Sequence, residues 1–332
     1  MIRHISLSKQ VKNYYLLKPY FLKQMIKMFK FYFILTLTFL FYCKVSSQNK
    51  IIFSRSPGRI NTGKTLDLMI FDTKTMETKL LLKGSINRRG EYGAITSPDN
   101  LKIIFNTYRF SGWKLGIGDF DGKNISNIKK LTNRKNYEYC AQYSPDGSKI
   151  AYVEYDWSVR ESDIYIADKN GKNGKYFFKT GISDQNIDWT RDSESIVFTL
   201  KKNKSLSIYI KSLNGGKAKK IVSHLANDFA PSTSKLEDKI AFLSDKEGKI
   251  HLFVVNTDGS NLKNLTPTLE SSDGDENGIW PYKTSWSPDG KKIVFNVIIN
   301  GDLEIFIVNS DGTELTQITN NNDTDMTPYW LN

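Results

Sequence analysis

A short turn motif recurs along this chain and restricts its fold more tightly than any other feature. Two copies are complete: Trp286-Ser287-Pro288-Asp289-Gly290 before Ile293-Val294-Phe295, and Tyr143-Ser144-Pro145-Asp146-Gly147 before Ile150-Ala151-Tyr152. Degenerate copies are Ser97-Pro98-Asp99-Asn100 with Ile103-Ile104-Phe105, Trp189-Thr190-Arg191-Asp192 with Ile196-Val197-Phe198, and Ser234 with Ile240-Ala241-Phe242. Proline presets φ for the second position of a type I turn, Asp suits the third and Gly the fourth. A second turn follows each apolar strand, at Asp121-Gly122, Asn170-Gly171, Gly215-Gly216, Asp258-Gly259 and Asp311-Gly312. Runs such as Ile305-Phe306-Ile307-Val308 lie between the turns and do not alternate, which is the pattern of strands buried on both faces. Four short strands in about 45 residues make one propeller blade, with neighbouring blades covering both faces of each sheet.

The isoleucine that opens each second strand counts the blades: Ile51, Ile103, Ile150, Ile196, Ile240 and Ile293. That makes six. The first copy leaves no room for a preceding strand of its own, whereas Pro328-Tyr329-Trp330-Leu331 at the far end reads as the start of a blade. Trp330 then aligns with Trp286, Trp189 and Tyr143. The expected fold is all-β: a six-bladed propeller of four-stranded blades, its ring closed by the C-terminal strand.

These repeats resemble the TolB-type propeller repeat, a relative of WD repeats, and the resemblance covers essentially all of residues 50–332. It implies the fold firmly and the function only loosely, because such repeats serve binding scaffolds, lyases and peptidase accessory domains. No α/β domain of the TolB kind precedes the repeats, so a role in the Tol–Pal system is not expected. Nor is there a hydrolase domain, so peptidase chemistry is not expected either.

Residues 1–48 differ from the rest. They hold eight basic side chains and no acidic one, and the run Phe31 to Tyr42 is too short to span a bilayer. We read residues 1–47 as a secretory signal peptide cleaved before Gln48, with translation starting at Met1 or at Met25 or Met28. Cys43 offers a lipid-anchored alternative, disfavoured by the bulky Tyr42 before it. The propeller then spans 48–332, and its location is periplasmic or secreted. Beyond the leader the chain has 39 basic and 35 acidic residues, a balance without a nucleic-acid footprint. Cys140 is the one cysteine there, so a disulfide within the domain is excluded and the core alone must hold it. A monomer is expected.

In a blade of this type the loops entering the first strand and linking the second to the third share the channel face. Seven arginines fall in those loops, all in blades one to three: Arg55, Arg59, Arg88, Arg89, Arg109, Arg134 and Arg160. Tyr108, Phe110, Trp113, Tyr137, Tyr155 and Trp157 accompany them. Guanidinium forks pair with carboxylate or sulfate oxygens, and flat rings add stacking area. The combination points to an anionic, partly apolar ligand, an acidic glycan or peptide, or to an envelope protein. The competing reading is that the arginines tie loops to Glu91, Glu138 and Glu161. A second regularity places Glu91, Glu138, Asp184, Asp228 and Asp325 six residues before each turn-opening position, with Pro281 in blade six. These carboxylates either ring the channel mouth, for a cation or an amine, or accept hydrogen bonds that fix their own loops. A third candidate is the loop from Pro267 to Lys283, where Asp273, Asp275 and Asn277 precede Gly278 in the manner of a calcium loop. Thr284 stands where an EF-hand has its bidentate Glu. Trp280 follows and would wall a groove.

The enzyme alternative is a propeller lyase acting on an acidic polysaccharide, which needs a base near the sugar's acidic proton. His224, Tyr137 and Tyr155 are the candidates. The histidine metal cluster of the similar oligogalacturonate lyases cannot be assembled, since the domain's histidines are His224 and His251 alone. A non-catalytic binding scaffold is therefore the favoured reading.

Overall fold

The computed structural model describes residues 28–30, 49–58, 64–85, 89–181, 186–202, 205–224, 226–271 and 281–332. The signal-peptide reading and Cys43 lie outside the described residues, as do Arg59, Arg88, Asp184, Asp273, Asp275, Asn277 and Trp280. Residues 28–30 form a helical turn in a unit of their own, Met1–Ser46.

The rest is a six-bladed propeller. Its six antiparallel sheets have four strands each and follow the chain order, except that the last strand joins the first blade. Blade one pairs Thr324–Trp330, as its inner strand, with Lys50–Ser56; blades two to six begin at Glu91, Tyr137, Ile187, Asp228 and Thr284. The closure has the expected register, with Ile51 opposite Trp330 just as Ile196 faces Trp189 and Ile293 faces Trp286. All six marker isoleucines are fully buried.

The motif residues explain why the repeat folds this way. In blade three the Ser144 carbonyl accepts the Gly147 N–H at 2.8 Å, and its hydroxyl accepts the Lys149 N–H at 3.0 Å. Ser287 makes the same pair with Gly290 and Lys292, at 2.9 Å each. The fourth turn residue has positive φ, 69° at Gly147, which glycine adopts without strain. At the closure the Leu331 N–H bonds the Lys50 carbonyl at 3.0 Å, the counterpart of the Ser144 N–H to Lys149 carbonyl bond of 2.9 Å in blade three.

Six apolar clusters form the core, one between each pair of neighbouring blades. The cluster sealing the ring holds Ile51, Phe53 and Phe71 of blade one against Val294 and Ile305 of blade six, with Trp330 among them. Trp189 and Trp286 also bond across seams, each indole N–H reaching a carbonyl of the preceding blade: Gln142 at 3.1 Å and Ser232 at 3.2 Å. A buried indole thus brings both area and a satisfied donor.

Candidate functional site: the channel face of blades two and three

The inner strands open on carboxylates. Glu91, Glu138, Asp228 and Asp325 are all 0% exposed. Three of them reach back to the loop just upstream. Glu91 accepts the Ser85 N–H at 3.2 Å, Glu138 accepts the Thr132 hydroxyl, and Asp325 accepts the Asn321 amide at 2.8 Å. Asp228 lies 3.4 Å from His224 Nε2. The four are closed to solvent, and Glu91, Glu138 and Asp325 are bonded to their own loops. Burial pushes Glu138 and Asp325 above the usual carboxylate range, against the opposing pull of Thr132 and Arg55, and pushes Asp228 to about 7. In blade six, Pro281 has no carboxylate to offer, and its carbonyl accepts from Asn296 at 3.3 Å.

Most of the described arginines on this face are already paired. Arg55 grips Asp325 with two bonds of 2.7 and 2.8 Å. Arg109 meets Glu91 at 3.0 Å and the Lys83 carbonyl at 3.2 Å. Arg134 pairs with Glu154 at 2.5 Å and lies 4.1 Å over the Tyr165 ring. The sequence suggested Glu138 and Glu161 as partners, but Thr132 takes the first and Lys179 the second. Arg89 is exposed and stacks 5.3 Å above Tyr108, and Arg160 is exposed with φ 54°. Arg191 binds Asp238 on the opposite, turn face.

The aromatic residues do converge. Trp113 stands edge-on to Tyr92 and Tyr108, with centroids 5.0 and 5.4 Å apart. Between the blades Gly112 packs against the Tyr137 ring, and Tyr108 lies close enough to Tyr137 to raise its pKa. Tyr137 and Tyr155 then flank Trp157, at 5.7 and 4.8 Å. The interplanar angles, 81° to 85°, are the edge-to-face geometry that aromatic quadrupoles favour. Six rings thus line two adjacent blades, one trio around Trp113 and one around Trp157, which is 59% exposed.

Two backbone features hold the path. Gly112 has φ 98° and sits so close to Tyr137 that a Cβ there would lie 2.7 Å from its ring. Lys114, 4% exposed, gives its ammonium to the carbonyls of Arg134, Lys135 and Asn136. One buried cation thus satisfies three loop acceptors, and burial lowers its pKa. Lys114→Met should leave those carbonyls without a donor and cost about 2–4 kcal/mol in chemical denaturation. It should also broaden the NMR signals of Tyr137. Nothing in the sequence distinguished Lys114 from the many solvated lysines.

The candidate bases are less free than the aromatic path. His224 Nδ1 accepts the Ala226 N–H at 3.3 Å while Nε2 faces Asp228, and burial lowers its pKa. Burial and the neighbouring Tyr108 raise that of Tyr137. Tyr155 is buried at 5% exposure under Trp157. His251 is buried and bonded to Asn264 at 2.9 Å. Among the described residues, no group of three or more His, Cys, Asp or Glu is arranged to hold a metal. No helix among them is long and apolar enough to cross a membrane.

The model of the TolB beta propeller domain matches residues 100–277. Among solved structures, TolB from Acinetobacter baumannii superposes with a TM-score of 0.71 at 19% identity, over 86% of this chain and 67% of that one. A putative TolB from Agrobacterium tumefaciens gives 0.60 at 16% identity, over 82% and 88%. At such identities the likeness concerns the fold. A dipeptidyl-peptidase 5 of Porphyromonas endodontalis is 35% identical over 77 residues, which is 23% of this chain and only 10% of the peptidase.

Proposed function

This chain belongs to the TolB beta-propeller family, and from that premise we propose that it is an exported, non-catalytic scaffold binding a ligand on the channel face of blades two and three. The observation that carries this reading is the aromatic path of two ring trios on adjacent blades, ending at the exposed Trp157. Rigid rings on braced loops offer contact area at little entropic cost, as in interface hot spots. Arg89 over Tyr108 and the exposed Arg160 lie beside the rings, and guanidinium groups next to flat rings suit an anionic, partly apolar ligand. An acidic glycan or an acidic peptide segment of an envelope protein has that chemistry. The leader supports delivery to the periplasm or beyond. The lyase alternative finds less support, since both nitrogens of His224 face protein groups and burial raises the Tyr137 pKa.

A glycan and peptide array probed with residues 48–332 tests the proposal. Trp157→Ala should weaken any hit about tenfold or more, and Arg89→Ala should weaken anionic hits alone. Hits that ignore Trp157 would sink this reading. Repeating the array with calcium tests the loop at Asp273, Asp275 and Asn277. Release of unsaturated product from uronate polysaccharides would instead favour the lyase.

A further inference from the structure

Four residues before each turn-opening position stands one residue per blade: Thr327, Gly93, Cys140, Asn186, Ala230 and Lys283, in blades one to six. This position is a bulge. Gly93, Cys140, Ala230 and Thr327 have φ between 51° and 63°, and the inner-strand register slips beside them. Three of these are not glycine, and Thr327 is β-branched, so the backbone strain is held by the surrounding ring. Contacts cross from blade to blade at this level. The Gly93 N–H bonds the Thr327 hydroxyl at 3.2 Å, and the Asn186 amide reaches the Tyr282 carbonyl of blade six at 2.6 Å.

Five members of this ring are small or of medium size, and one is a lysine. Lys283 is 6% exposed, and its backbone is pinned by Asn296, whose side-chain oxygen accepts its N–H at 2.9 Å. Its ammonium lies 5.2 Å over the Tyr329 ring of blade one, and the titratable groups that act on it are the Cys140 thiol of blade three and Asp188 of blade four. Blade three is opposite blade six in a ring of six, so this side chain extends into the central channel. Among the described residues no carboxylate comes within 4.0 Å of it. Asp188 is committed elsewhere: Oδ1 to the Trp189 N–H at 2.8 Å and Lys235 at 2.9 Å, Oδ2 to the Thr233 N–H at 2.8 Å and hydroxyl at 3.1 Å.

We propose that the central channel contains a site for one carboxylate group, with Lys283 as its cation, the Tyr329 ring behind that ammonium, and Cys140 on the facing wall. Charge decides the ligand class. The Asp188–Lys235 pair is neutral, so Lys283 leaves one positive charge uncompensated, which matches a monoanion; a phosphate dianion would bury an excess negative charge. Burial of an ammonium without a contact anion is costly, and a carboxylate at hydrogen-bond distance relieves that cost. A pKa pushed down to about 8 by burial has the same origin. The carboxylate can come from a free short-chain acid or from the C-terminus of an extended peptide. This site is separate from the aromatic path, and its failure leaves that reading untouched.

The test uses the mature protein with 13C-labelled lysine side chains, followed by NMR across pH. Lysine signals of Lys114 and Lys283 should titrate below the others, and Lys283→Met should remove one of them, which identifies the Lys283 signal. Because the titration is of unmutated protein, the result stands even where that variant folds poorly. Sodium acetate, a tripeptide with a free C-terminus and the same tripeptide amidated are added against sodium chloride of equal ionic strength. Saturable elevation of that midpoint by about one unit or more supports the site. Acetate alone sufficing assigns a free acid, whereas a response to the free-acid tripeptide but not to acetate or the amide assigns a peptide terminus. A midpoint that moves no further than in chloride overturns the proposal.

Discussion

Trp330→Ala is expected to lower the unfolding free energy by about 3–5 kcal/mol, and deletion of Thr324–Asn332 to abolish cooperative unfolding altogether. The reason is the position of this residue in the ring. Trp330 is 4% exposed and packs with residues of blades one and six, so its removal opens a cavity beside the closure, where the last strand is joined to the first only by hydrogen bonds and packing. Its strand also carries Asp325, gripped by Arg55 through two bonds, and the Leu331 N–H that bonds Lys50. Without the strand, blade one is left with three strands, and Ile51 and Ile52 lose their cross-strand partners Trp330 and Tyr329. Exposed edges of that kind invite aggregation. Guanidinium denaturation, with tryptophan fluorescence and circular dichroism read together, checks both expectations. Trp286→Ala is the matched control: it buries a similar side chain at an ordinary seam, and equal losses from the two would mean that ring closure adds nothing.

The ring closure was legible because turn chemistry is local. A serine that accepts two backbone N–H groups, a proline and a positive-φ glycine leave the same trace wherever they occur, and the isoleucine facing each inner strand follows at fixed spacing. The bulge at the fourth residue upstream was not legible. Glycine marks it only at Gly93, while Cys140, Ala230 and Thr327 adopt the same φ with side chains that ordinarily avoid it. Long-range pairing hid most of the site. Arg134 bonds Glu154, beyond the intervening turn and strand, because the nearer Glu138 already turns to Thr132. Arginine clustering therefore overstated the free positive charge, since Arg55, Arg109 and Arg134 each meet a carboxylate. Aromatic residues on neighbouring loops were a better guide, because large rings that share a surface pack together whatever their partners' charge. Lys114 and Lys283 passed unnoticed among many lysines; only the fold reveals that both are buried.

Asp228→Asn should stabilise the protein at pH 8 and have little effect at pH 4. Asp228 is wholly buried at the head of the blade-five inner strand, and neither carboxylate oxygen completes a well-formed hydrogen bond, although Ser244 and His224 lie beside it. Burial raises its pKa to about 7, with Asp245 adding to the rise and Ser244, Lys220 and Lys246 opposing it. In the unfolded chain the same group ionises near pH 4. Between those values the folded state keeps a proton that the unfolded state has released. Stability contributed by this residue is therefore full below about pH 4, falls as the pH rises, and is gone above the folded pKa. An amide at this position cannot ionise and escapes the loss. The three-unit difference, in which the pull of the neighbouring lysines is already contained, sets a ceiling of about 4 kcal/mol at pH 8. Urea unfolding of both proteins at pH 4, 6 and 8 measures the gap, in which the shared titrations of all other groups largely cancel. A gap that stays constant across the three pH values would show that Asp228 is ionised throughout, compensated by a protonated His224 at 3.4 Å. His224→Gln separates the two cases: it should leave the pH dependence of the gap nearly intact if Asp228 is protonated when folded, and destabilise strongly if the pair is ionic.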